Sequence, residues 1–128
     1  MSNYITSGKA PFKPITSVTH PSRSLNSSFI PSSTKTVWVK YAVSIVCAAG
    51  VDAGLVRLLV NGSEVDRGSH GNDLGVTGIL VSLVGSTTVT VNVSGWINPG
   101  DTVELETTDT VGSPTFTLTH VSEYIFKT

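Results

Sequence analysis

The side chains in this sequence best suited to metal ligation or proton transfer are three histidines, His20, His70 and His120. None has a second ligand at the spacing of a metal motif, so the sequence predicts no metal site within one chain and no cofactor. His120 could instead meet its own copies around a symmetry axis and share a metal or an anion there. Asp66, Asp73 and Asp109 offer the oxygen ligands that calcium wants, but they are not closely spaced and read as exposed loop acids. Glu104 and Glu106 stand two apart on a predicted strand and so share a face, the minimum for an acid and base pair. No cleft or aromatic platform accompanies them, and solvated outer-face carboxylates are the plainer reading. Ser113, His120 and Asp109 crowd together in sequence, yet Ser113 lacks the glycine-flanked elbow that exposes a nucleophile. Cys47 is the single cysteine and lies in an apolar run, which makes it a buried small hydrophobe. The residues with chemical potential therefore do not assemble into a reaction, and the sequence reads as that of a protein that is not an enzyme.

Composition narrows the partners. The formal net charge is -1 and the 8 basic residues are scattered, so no surface for phosphate backbones or anionic lipid is expected. Nucleic acid is excluded as an expected partner. No apolar run approaches the roughly 20 residues that cross a bilayer, and the first residues lack the apolar stretch of a signal peptide. A soluble protein without membrane insertion is expected. The 128 residues are enough for one hydrophobic core, and only 13% are charged while Val, Ser, Thr and Gly abound, a composition of β-branched strands and small-residue turns.

The elements follow from the alternation. Over Thr36–Ala48, Val37, Val39, Tyr41, Val43, Ile45 and Cys47 alternate with Trp38, Lys40, Ala42, Ser44 and Val46, which predicts a strand with one apolar face and Trp38 on the other. Leu55–Val60 and Ser63–Arg67 flank Asn61-Gly62, the dipeptide of a type I′ hairpin turn. The glycines and the Asn-Asp pair of Gly68–Gly75 predict a loop. Strands follow over Val76–Val84, Thr87–Val93 and Thr102–Thr108, with Pro99-Gly100 at the centre of a type II turn. The last strand, Thr115–Phe126, loses its phase near His120–Ser122, where a bulge is expected. Seven or so short strands with turn chemistry between them indicate an all-β, antiparallel two-sheet sandwich of the jelly-roll or immunoglobulin-like kind over residues 34–128.

Residues 1–33 differ. Pro11, Pro14, Pro21 and Pro31 recur among Ser and Thr with no hydrophobic period, which predicts an extended N-terminal arm, held by its own domain or by a neighbour. Its apolar residues Tyr4, Phe12, Ile15 and Val18 are too widely spaced for a core and would dock on a partner.

Pro21-Ser22-Arg23-Ser24-Leu25-Asn26-Ser27-Ser28-Phe29, the strand residues Tyr41-Ala42-Val43-Ser44-Ile45, and Gly112-Ser113-Pro114-Thr115-Phe116-Thr117 together resemble a family of small bacteriophage and prophage virion β-sandwich proteins, tail-associated or capsid-decorating. The similarity covers about Pro21 to Ile125. The resemblance implies a virion component, assembled in the host bacterial cytoplasm, that forms a homo-oligomer, with a trimer favoured. Trp38 or Trp96 would then anchor subunit contacts, with core packing the alternative for each. In the first role the arm clamps a neighbouring capsid or tail subunit. In the alternative, the chain is a receptor- or glycan-binding tip of a tail fibre, meeting a host surface receptor through His70, Asn72 and Asp73.

Overall fold

The computed structural model of the chain describes residues 15–48, 52–71 and 86–127. Among the described residues seven strands carry the fold: β1 (Ile15–Thr19), β2 (Val37–Cys47), β3 (Ala53–Val60), β4 (Ser63–Gly71), β5 (Thr87–Ile97), β6 (Val103–Val111) and β7 (Thr115–Phe126). They form two antiparallel sheets stacked in a sandwich-like arrangement, a four-stranded one in the order β1-β7-β2-β5 and a three-stranded one in the order β4-β3-β6. Among the described residues there is no helix. The expected strand over Val76–Val84 lies outside them, as do Tyr4, Phe12, Asn72 and Asp73.

The core grows from β2, the central strand whose alternation is cleanest. Val37, Val39, Tyr41, Val43, Ile45 and Cys47 are fully buried and meet Val56 and Leu58 of β3, Val93 and Ile97 of β5, and Val103 and Leu105 of β6. Complete burial of such a side chain stabilises by about 1.5–3 kcal/mol, so this face is what makes the two layers adhere. The turns follow the chemistry of their residues. Asn61 and Gly62 have φ of 51° and 84°, and Gly100 has φ of 82° with Asp101 N–H donating to Asn98 C=O at 3.1 Å.

One expectation is corrected, and the place of another is fixed. The loop read over Gly68–Gly75 begins later, because Gly68 to Gly71 continue β4 against β3. These glycines serve close packing: a Cβ on Gly68 would come within 2.8 Å of Val91 Cβ, and one on Gly71 within 2.8 Å of Ala53 Cβ. The bulge in β7 sits at Thr119, just ahead of the His120–Ser122 range, since Val43 pairs with Leu118 and Ala42 with His120. That extra residue switches the phase. Before it Phe116 and Leu118 face the core; beyond it Val121, Glu123 and Ile125 pair with the inward Tyr41, Val39 and Val37.

Residues 20–36 form a strap across one open side of the sandwich. Asn26 N–H donates to Leu105 C=O at 2.8 Å, and Phe29 exchanges both backbone bonds with Val103, at 2.9 and 2.8 Å, so the strap covers the edge of β6. Leu25 and Phe29 pack against the core. Of the residues expected to form an arm, those from 15 to 33 are thus held by the domain itself.

Candidate functional site

The outer face of the four-stranded sheet is built by the other half of the alternation. Trp38 on β2 pairs with Trp96 on β5 and with Tyr124 on β7, and Tyr124 pairs in turn with Val18 on β1. One row therefore crosses all four strands. Phe126 and its partner Ile15 lie beside it. The Trp38 and Trp96 rings meet edge to face at 5.0 Å between centroids, and the Trp96 and Phe126 rings at 5.2 Å. Ile15, Val18 and Trp96 keep 52%, 45% and 59% of their surface exposed, whereas most large apolar side chains of a sandwich lie inside. Away from this aromatic end, the rows become polar: Lys40 with Ser94 and Ser122, then Asn92, Ala42 and His120, then Thr90, Ser44 and Thr117.

The opposite outer face has a different character. Arg57 on β3 pairs with Glu106 on β6 through two guanidinium nitrogens and reaches Glu64 on β4 at 3.6 Å, while Arg67 grips Glu64 at 2.8 Å. The hydrogen bond from Arg67 holds the Glu64 carboxyl below the usual carboxylate range, and the bonds to Glu106 and Glu64 raise Arg57 and Arg67 respectively. Glu106 is thus committed to Arg57 rather than poised with Glu104 for proton transfer.

The structure sorts the residues that the sequence nominated. Ile15 and Val18, proposed to dock on a partner, and Trp38 and Trp96, proposed as oligomer contacts, fall on one face at one end of it. His70 stands apart from them, half-buried on β4, with its Nε2 2.8 Å from Thr87 Oγ1. Ser113 donates its N–H to Asp52 at 3.0 Å. Asp109 lies on β6 opposite Gly54, in the other sheet from His120, so these residues do not form a triad. Among the described residues, no group of three or more His, Cys, Asp and Glu side chains could hold a metal ion.

Sequence reasoning missed the polar centre beneath the strap. Glu123, 1% exposed, accepts from Arg23 Nε at 2.9 Å and Nη2 at 2.8 Å and from the Tyr41 hydroxyl at 2.6 Å. The Arg23 guanidinium also lies 4.5 Å from the centre of the Phe29 ring. Burial first, then the bond to Glu123, pushes the Tyr41 hydroxyl far above the usual phenol range, and the same carboxylate raises Arg23. The signal for this site was a phase count: one extra residue anywhere between Leu118 and Glu123 turns Glu123 inward, where a buried acid demands a cation. Its consequence is positional. Arg23 fixes the strap, and the strap leads directly from β1 and the aromatic end.

No family model matches the chain, and no curated protein matches it.

Proposed function

We propose that this chain is a non-enzymatic bacteriophage virion surface protein that forms a homo-oligomer, a trimer in the favoured form, and docks on capsid or tail subunits through its N-terminal segment. In this reading the sandwich is of the jelly-roll or immunoglobulin-like kind, residues 1–33 are its arm, of which residues 1–14 reach the particle, and the aromatic end of the four-stranded sheet is the contact between copies. The observation that carries it is the convergence of Ile15, Val18, Trp38, Tyr124, Trp96 and Phe126 on one open face. A contiguous exposed apolar patch marks an interaction surface, and large aromatics supply most of the energy of such contacts. The position of the patch beside β1 supports the division of labour, because the residues preceding Ile15 enter the fold there. Residues 1–14 supply Tyr4 and Phe12 as further anchors.

Sedimentation equilibrium tests the contact. Trp96→Asp with Val18→Asp, both at exposed positions, should yield a folded monomer from an oligomeric parent. A parent that is monomeric at high concentration, or a variant that keeps the parent's oligomeric state, would overturn the reading. Removal of residues 1–14, which leaves β1 intact, should abolish attachment to particles. Continued decoration by the truncated protein would rule out the arm as the clamp.

One observation favours a second reading, the receptor- or glycan-binding tip of a tail fibre. The Trp96 ring is open to solvent beside the polar rows of Lys40, Ser94 and Asn92, and such a ring can stack on a sugar face. Purified protein should then adsorb to host cells and lose adsorption with Trp96→Ala; absence of adsorption at high concentration excludes it.

A further inference from the structure

We propose that His20 and His120 form a two-imidazole site for a divalent transition metal ion, which on binding pins the strap to β7. The residues are far apart in sequence and are brought together by two separate features. His20 follows β1 directly, where pairing with β7 ends at Thr19 opposite Glu123. His120 is carried to the outer face, opposite Ala42, by the bulge at Thr119. The two ring centroids lie 5.7 Å apart, with their planes at 62°. A metal about 2.0–2.1 Å from one nitrogen of each ring, at the tetrahedral angle, holds two imidazole centroids about 5 Å apart. A small side-chain rotation covers the difference. Among the described residues the ring of His120 makes no hydrogen bond that such a rotation would break.

The hydrogen bond that orients His20 is already in place. Its Nδ1 lies 2.7 Å from Val121 C=O, a group that can only accept, so Nδ1 carries the proton and donates. The Nε2 lone pair is left for a metal, the arrangement that orients most metal-ligating histidines. Both imidazoles are exposed, and they border a surface cavity of ≈ 420 Å³ shared with Ser22, Thr119 and Arg23, with room for the waters that complete the coordination. The Arg23 charge that would oppose a cation there is matched by the two oxygens of Glu123. Imidazole suits Cu²⁺, Ni²⁺ and Zn²⁺, with Cu²⁺ the tightest of these.

Calorimetric titration of the full chain with CuSO₄ tests the site, with nitrogen superhyperfine structure in the electron paramagnetic resonance spectrum as a second readout. One Cu²⁺ per chain is expected, with two nitrogen ligands. His20→Gln and His120→Gln should each weaken binding at least tenfold, while His70→Gln should leave it unchanged. ZnCl₂ should raise the melting temperature of the parent but of neither variant, because a ligand that binds only the folded form stabilises it by mass action. The proposal is overturned by binding that survives either substitution, by a stoichiometry of one ion per two or three chains, or by no binding above that of a variant carrying both His20→Gln and His120→Gln. It stands independently of the particle role.

Discussion

Glu123 and Arg23 are unequal partners, and their inequality sets the order of two mutational effects. The Glu123 side chain is 1% exposed and the Arg23 side chain 17%. Without Arg23 the carboxylate stays buried with Tyr41 as its remaining partner, whereas without Glu123 the guanidinium can turn towards water. Arg23→Ala should therefore cost about 3–5 kcal/mol in urea unfolding, the usual consequence of breaking a buried pair from one side. Glu123→Gln should cost less, about 1–3 kcal/mol. Equal losses would show that the asymmetry of burial has no energetic weight. Tyr41 gives a prediction in pH. Its hydroxyl is held protonated by burial and by the bond to Glu123, so its contribution to stability is complete below the ordinary phenol value of about 10 and is lost as pH rises beyond that. The phenolate absorbance lost in Tyr41→Phe, which isolates Tyr41 from Tyr4 and Tyr124, should appear only with unfolding, and the same substitution should remove the alkaline loss of stability. A Tyr41 phenolate in that difference signal while the protein remains folded would contradict the buried geometry.

At the scale of elements, the glycines of β4 separate two readings of the same residues. In a loop, Gly68→Ala would be nearly neutral. On β4, the added methyl meets Val91 Cβ at 2.8 Å between the two layers, and the substitution should cost about 1–3 kcal/mol as overpacking. A melting temperature equal to the parent's would restore the loop. The case also marks where sequence reasoning was strong. β2, the Asn61-Gly62 hairpin and the Pro99-Gly100 turn were legible because alternation and positive φ are written in residue types that allow little else. The end of β4 was not, since a glycine that permits a turn and a glycine that admits a neighbour look the same in one dimension. The strap was legible only as an absence of period. Its contacts with β6 and with Glu123 are long-range, and nothing local in Ser24, Asn26 or Ser27 points to them. The aromatic end was half legible: Trp38 was placed on the outward face, but its neighbours come from β5, β7 and β1, whose order a sequence does not display.

Across the whole molecule, the two outer faces divide the surface by chemistry. The three-stranded face presents Arg57, Arg67, Glu64 and Glu106 paired to one another, and such a satisfied charge network suits a side turned to water. The four-stranded face presents threonines and serines with Lys40 and His120 among them, and these rows lead to an open aromatic cluster, the surface on which the proposed contact between copies rests. β1 lies at the edge of that same sheet, antiparallel to β7, with Ile15 opposite Phe126. The geometry has a mechanical consequence. Tension applied between residue 15 and residue 126 enters the β1–β7 pair at one end and would open it like a zipper, one hydrogen bond at a time, at low force. The opening would run only as far as His20 and Arg23, where the bonds to Val121 and Glu123 take the load together. A pull on the leading segment would thus peel away a short ribbon and then stall, leaving the layered body intact.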